Sequence, residues 1–423
     1  MYDEKMICRI LNAELIPALG CTEPMAFGLC AAAAREASSG TLEHMELEAS
    51  AAMIKGVQYV KIPRSGGQCG GKMASALGAL AGKFAYGMEV FKSVAPEHVA
   101  AAQNLLEEER VTLRMAEDVP RLWLRVTVVG SEGSGTAILQ DRHDNVVYIA
   151  SGSAVLRDMR GVQEAEERPD YSVLSVESIL KFCRETAISN LARAEEAVRL
   201  NRALSEDGMR NAYGLRLGQT LRQKAGDGVI SDDLGLYAVS AACAGVDARM
   251  GGSPLAAMSN SGSGNQGITC TVPIIAAGER MGKSHEQIVR AAAFGNLITV
   301  FVKTHFDPDY ARMSSVCCAS LAAGGAACGI AYLRGDDAPC VRRLMQTVLG
   351  SVCGLMCDGA KANCAAKVGM ALHGALQSLL LAESGLGADA LCGVVDETLE
   401  QTICNFFRLQ KDGMQDLETI LCG

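Results

Sequence analysis

SSVCCASLAAGGAAC, residues 314–328, and MCDGAKANCAAK, residues 356–367, are the stretches on which the reading of this chain turns. Between Arg312 and Lys367 lie seven of the seventeen cysteines: Cys317, Cys318, Cys328, Cys340, Cys353, Cys357 and Cys364. The first stretch sets sulfur into an Ala, Gly and Ser pattern that predicts a helix in close contact with other helices. From Met313 to Leu333 the chain carries no charge, long enough formally to span a membrane. So many small residues suit a tightly packed protein core better than lipid. In the second stretch Cys357 and Cys364 stand seven apart, about two helical turns or roughly 10 Å along an axis. Two sulfurs so spaced on one straight helix cannot share a metal, so DGAKAN is expected to be a turn or a broken helix, which Gly359 permits. Cys317, Cys357 and Cys364 could then gather. Three thiolates are too few for a closed zinc or iron–sulfur site, which takes four ligands, so one position would stay open. Cysteine is also among the most buried residue types. On residue type alone the trio reads equally well as packing, and Cys318, Cys328, Cys340 and Cys353 read as packing.

The 423 residues, 49% hydrophobic and 21% charged, describe a globular chain of two to three domains with a substantial core. A net charge of -9 without a long basic run argues against a nucleic-acid surface, because phosphate binding depends on clustered Lys and Arg. The start, MYDEKMICRILNAEL, is charged at once and lacks an apolar signal core, so a cytoplasmic protein is expected, with no membrane partner. An odd set of seventeen cysteines fits no disulfide framework and implies reduced thiols.

Residues 5–37 read as two helices broken at PALGCTEP, where Pro17, Gly20 and Pro24 interrupt the apolar period. Cys21 therefore falls at a helix start, where free N–H groups and the dipole favour a thiolate. Glu23 reads as a capping residue. The Gly-rich loop from Ser65 to Gly71 feeds another helix and does not match a Walker pattern; Arg64 and Lys72 are possible carboxylate partners. Pro96 to Glu109 reads as an amphipathic helix, and RVTLRMA, LWLRVTVVG, GTAILQD and NVVYIAS follow as alternating strands that should pair as consecutive hairpins. Trp123 is expected to fill the core of that lobe. After a polar return linker, residues 162–173, helical patterns resume. The fold class is thus α+β: a predominantly α-helical body, residues 1–84 and 163–423, with a small inserted α+β lobe, residues 85–162, that contains a β-meander.

Eight consecutive polar or glycine residues, 259–266, interrupt two apolar segments. Such a loop exposes N–H and hydroxyl donors, and Asn260, Ser261, Ser263, Asn265 and Gln266 are the candidate cradle for a substrate carboxylate. Lys303 and His305 come shortly before Cys317; His305 reads as a helix-end residue and His373 as core.

GCTEP at residues 20–24, SNSGSGNQG at 259–267, SSVCCASLAAG at 314–324 and CDGAKANC at 357–364 occur in this order. With them the chain resembles, over nearly its whole length, the L-cysteine desulfidase family, which is related to the α-part of bacterial iron–sulfur L-serine dehydratases. The resemblance implies a [4Fe-4S] cluster held by Cys317, Cys357 and Cys364, with the fourth iron open to substrate. This chain departs from the pattern at Cys317-Cys318, where relatives often read Cys-Gly-Cys, so Cys318 stands as the alternative sulfur. It further implies β-elimination from a small amino acid, L-cysteine foremost, giving pyruvate, ammonia and hydrogen sulfide. Cys21 becomes the candidate base, and Cys422 a sulfur that could reach an open iron if the tail folds inward. L-serine dehydration is the close alternative. A non-catalytic metal or thiol protein and a pyridoxal-phosphate lyase are readings of other classes, and a homo-oligomer is left open.

Overall fold

The computed structural model describes residues 2–19, 22–161, 168–307, 315–390, 393–414 and 416–422. The chain divides into two compact units, one of residues 1–18, 167–357 and 362–415, the other of residues 19–166, 358–361 and 416–423.

The second unit is built on a six-stranded sheet of order β3-β2-β4-β5-β6-β7. Its strands are β2 (Leu42–Ala49), β3 (Val111–Met115), β4 (Trp123–Gly130), β5 (Gly133–Gln140), β6 (Val146–Ser151) and β7 (Ala154–Asp158). Alternation along β4 buries Leu124, Val126 and Val128 completely and leaves Arg125 exposed. Helix α2 (Thr22–Ala37) packs on β4, β5 and β6. Small residues let it come close: a Cβ on Gly135 would meet the Ala34 carbonyl oxygen at 2.0 Å.

Two expectations about this unit are corrected. β3 is not a hairpin partner of β4, because β2 lies between them, parallel to β3 and antiparallel to β4. The crossover that a parallel pair requires is supplied by α3 (Ala51–Val57), α4 (Gly71–Ala81) and α5 (Pro96–Glu107). Hairpin pairing runs instead from β4 to β7. Since β2 and α2 are integral to the sheet, the unit holding the meander begins at residue 19 and not at 85. Trp123 is half-buried, on the face opposite Leu124, and does not fill the core. Helix α16 (Leu417–Cys422) also belongs here and packs on α3, but the Cys422 side chain lies outside the described residues.

The first unit is helical: α1 (Glu4–Glu14), α6 (Val176–Glu185), α7 (Ala192–Arg210), α8 (Leu217–Gly226), α9 (Leu234–Met250), α10 (Gly264–Arg280), α11 (His285–Thr304), α12 (Cys318–Arg334), α13 (Ala338–Ser351), α14 (Cys364–Glu383) and α15 (Leu399–Gly413). A two-stranded sheet of β1 (Pro17–Leu19) and β8 (Ala256–Met258) completes the list. Helices α10, α11 and α12 pack on one another and α9 and α14 pack around them. Where α11 meets α12, a Cβ on Gly325 would stand 2.0 Å from Thr299 Oγ1 and 2.7 Å from the Gly295 carbonyl oxygen. From Cys318 onward the uncharged stretch is therefore a buried core helix, as its small residues imply. Among the described residues the one helix long and apolar enough to cross a membrane is α14, and 50% of its apolar window is buried inside the protein. His373 is exposed, contrary to expectation, because Leu372, Ala375 and Leu379 take the inward face of α14.

Candidate functional site

The polar segment 259–266 forms a two-residue turn followed by a helix start. Ser263 N–H donates to the Asn260 carbonyl at 3.0 Å and Asn260 N–H to the Ser263 carbonyl at 3.1 Å. Between them Ser261 and Gly262 have φ of 45° and 83°, the left-handed pair that a type I′ turn requires. A serine in that region is uncommon, and such conformations concentrate at functional sites. Ser261 N–H and Ser259 N–H donate to the Glu14 and Ile16 carbonyls at 2.9 Å each, which ties the turn to the end of α1. Ser263 then caps α10, accepting from Gln266 N–H at 3.3 Å.

The candidate donors are not exposed as expected. Asn260, Ser261, Asn265 and Gln266 are all buried, because the segment lies between core helices, and Asn265 and Gln266 belong to the first turn of α10. Asn260 Oδ1 accepts from Ser261 Oγ and Gln266 Nε2, both at 2.9 Å, while its Nδ2 donates to Asn296 Oδ1 at 2.9 Å. Gln266 Oε1 in turn accepts from Lys303 Nζ at 3.1 Å, and Lys303 lies 3.4 Å from the Ser261 carbonyl oxygen. Arg249 Nη1 donates to Asn265 Oδ1 at 2.9 Å. Asn260, Ser261, Gln266, Asn296 and Lys303 thus make one buried network, and Arg249 with Asn265 a buried pair beside it on the same segment.

Cys317 and Cys357 are joined through their backbones. Val316 and Met356 form an antiparallel bridge, in which Cys317 N–H donates to the Leu355 carbonyl at 2.7 Å and Cys357 N–H to the Ser315 carbonyl at 2.8 Å. Cys317 and Cys357 are thus diagonal neighbours on one face of the bridge, near enough for Cys357 to act on the Cys317 thiol. Cys364 opens α14 after the expected non-helical DGAKAN, where Gly359 has φ 95°. Lys367, three residues on and so on the same helix face as Cys364, donates to the Met356 carbonyl at 2.9 Å. That contact holds the first turn of α14 to Met356, the residue before Cys357.

The electrostatics separate the paired cysteines. A hydrogen bond to Cys318, burial and the nearby sulfurs of Cys318 and Cys357 push the Cys317 thiol well above its ordinary range. Cys318 moves the other way, lowered by the hydrogen bond from Cys317, by the Ser263 hydroxyl 3.5 Å from its sulfur, and by the charges of Lys303 and Arg249, against an opposing effect of burial. Cys318, expected to be packing, therefore connects the cysteine strand to the Ser263 turn. Cys328 and Cys340 are buried core thiols and Cys353 sits half-buried against the Gly350 carbonyl, as packing predicts. All fourteen described cysteines are free thiols.

Among the described residues no group of three or more His, Cys, Asp and Glu side chains closes on a single metal ion. A four-iron cluster makes a different demand, since each thiolate binds its own iron and the sulfurs stand apart. An all-cysteine donor set on a bridged strand and an adjoining helix start is chemically suited to that larger group. Cys21, the candidate base, lies outside the described residues. His305 is exposed at the end of α11 with its ring edge-on to Phe301 at 5.2 Å, a helix-end residue as read from the sequence. Arg64 and Lys72 are exposed residues of the second unit, and Arg64 Nε donates to the Val94 carbonyl at 3.3 Å.

A family described as serine dehydratase alpha chain matches residues 85–422. The chain belongs to this serine dehydratase alpha chain family, a lyase-type class related to the iron–sulfur dehydratases. It is 36% identical to a UPF0597 protein of Oleidesulfovibrio alaskensis over 97% of this chain and 95% of the relative. The UPF0597 protein BF3560 of Bacteroides fragilis is 33% identical over 99% and 97% of the two chains. A UPF0597 protein of Actinobacillus pleuropneumoniae is 31% identical over 97% and 94%.

Proposed function

We propose that this chain is an iron–sulfur-dependent lyase that eliminates the β-substituent of a small L-amino acid, with L-cysteine as the preferred substrate. The observation that supports the reading is the bridge that makes Cys317 and Cys357 diagonal neighbours, with the helix opened by Cys364 held to Met356 through Lys367 and with Cys318 reaching the Ser263 turn. Those three cysteines would hold a [4Fe-4S] cluster. When bound, the cluster supplies a Lewis-acidic iron without a protein thiolate, suited to take the sulfur that leaves.

The chain's own residues do the rest. The turn at residues 260–263 and the first turn of α10 fix the position of Ser263 against Cys318, and the buried amide network keeps that position rigid. Loss of the Cα proton and cleavage of the Cβ–S bond give aminoacrylate and hydrogen sulfide. Aminoacrylate tautomerises and takes up water, releasing ammonia and pyruvate. For the base, Cys21 remains the candidate read from the sequence. Such a cluster needs a reducing environment, in keeping with a cytoplasmic location.

Elimination of water from L-serine is the second reading, favoured by the description of the matched family. Anaerobic assays of pyruvate release decide between them. The desulfidase reading expects kcat/KM for L-cysteine to exceed that for L-serine by at least tenfold, with hydrogen sulfide equal to pyruvate; the reverse preference makes the protein a dehydratase.

A further inference from the structure

We propose that Arg249 and Lys303 form the anion anchor of this site and hold the carboxylate of a small amino acid between them, beside Cys318. The inference rests on the lyase reading for the identity of the substrate, but its geometry stands on the first unit alone. Neither residue belongs to the polar segment 259–266.

The two cations come from the ends of different helices, α9 and α11, and meet the same six positions, 261–266. Lys303 Nζ reaches the Ser261 carbonyl and Gln266 Oε1 at 3.4 and 3.1 Å. Arg249 Nη1 reaches Asn265 Oδ1 at 2.9 Å, and its guanidinium lies against Gly264 at the start of α10. Gly264 makes that approach possible: a Cβ there would stand 2.4 Å from Arg249 Nε and 2.7 Å from Cζ. Only 8% of Arg249 and 3% of Lys303 is exposed, so both charges act across a medium poor in water, where their field on an anion is strongest. The Gly264 and Asn265 N–H groups, in the first turn of α10, have no acceptor within their own helix and add donors of the same sign. Ser263, one of the same six positions, lies 3.5 Å from the Cys318 sulfur, which sets the anchor beside that residue. A planar guanidinium beside a compact ammonium suits a carboxylate, which offers two oxygens to two donors.

L-Alanine is the probe, because it carries the α-carboxylate and has no group to expel from Cβ. Titrated calorimetrically into the anaerobic full-length protein, it is expected to bind at least tenfold more tightly than L-alaninamide. Arg249→Gln and Lys303→Gln should each weaken L-alanine by about ten- to hundredfold, the loss of one charged hydrogen bond, and leave L-alaninamide unchanged. If either variant fails to fold, Arg249→Lys, which keeps the charge and loses the fork, should weaken L-alanine selectively. Equal binding of L-alanine by wild type and variants, equal binding of the acid and the amide, or no binding of L-alanine by the wild type each overturns the anchor. A wild type that binds L-alanine as described but releases no hydrogen sulfide or pyruvate sinks the lyase reading and leaves the anchor standing.

Discussion

Gly264→Ala adds one methyl group at the point where the guanidinium of Arg249 crosses the first turn of α10. The new Cβ would fall 2.4, 2.7 and 2.9 Å from Nε, Cζ and Nη2 of Arg249. Unstrained heavy-atom contacts lie at about 3.5 Å, so the guanidinium has to retreat by roughly 1 Å. Because it is the end of a flexible chain, it can do so by torsion at about 0.5–1.5 kcal/mol, plus about 1.5–3 kcal/mol if its bond to Asn265 is lost. Alanine in a helix returns up to about 1 kcal/mol relative to glycine. With that bond lost, the net cost of about 1–3.5 kcal/mol is small beside the roughly 5–15 kcal/mol that keeps a domain folded, so the variant stays native at 25 °C. A misplacement of about 1 Å in a positioning group can still lower turnover roughly a hundredfold. Anaerobic hydrogen sulfide release and a circular-dichroism melt, run on the same preparation, separate the two effects. The expected outcome is a melting temperature within about 10 °C of wild type and a fall in kcat/KM of about a hundredfold. A folded Gly264→Ala protein with wild-type kcat/KM would refute the claim that the Arg249 position matters.

Three further outcomes follow from particular contacts. Arg342 of α13 joins Glu177 of α6 and Glu400 of α15 at 2.8 and 2.9 Å, and its hydrogen bond holds the Glu177 carboxyl below its usual range. A lowered carboxyl pKa stabilises above the unfolded value and loses that contribution as pH falls through the folded one. Arg342→Leu should therefore lower stability by about 1 kcal/mol at pH 7, the figure for partly exposed pairs, with the difference from wild type vanishing toward pH 2; a deficit constant with pH contradicts it. Gly325→Ala drives a methyl group to 2.0 Å from Thr299 Oγ1, in a core with no room to yield, and should cost about 1–3 kcal/mol in a denaturant titration. An unchanged midpoint would mean that α11 and α12 are less tightly seated than the structure shows. Cys21→Ser should abolish proton removal from Cα while sparing L-alanine binding, so retained exchange of the Cα hydrogen with deuterium in the variant removes Cys21 as the base.

The sequence made the helical body and the lobe's later hairpins legible because their apolar periods are undisturbed. Strand β2 was not, for a physical reason: LEHMELEA is composed largely of helix formers, and only pairing to β3 and β4 on both edges makes it a strand. With β2 unseen, the parallel register of β3 and the boundary at residue 19 were out of reach. In the site, the residue types of segment 259–266 announced a polar turn and not its burial, which depends on the helices that close over it. Nothing in the chain singles out Arg249, and Cys318 reads there as packing or as the alternative sulfur to Cys317. What gives both a role is distance in space, Arg249 against Gly264 and Cys318 against Ser263, and no spacing in the chain encodes either contact.

Iron and acid-labile sulfide, assayed together on anaerobically purified protein, test the central claim most directly. About four of each per wild-type chain are expected, the content of a [4Fe-4S] cluster, with loss of both from Cys317→Ser, Cys357→Ser and Cys364→Ser and retention in Cys328→Ala. Full iron and sulfide content in all three serine variants, or a wild type that releases hydrogen sulfide from L-cysteine with no iron bound, would contradict it.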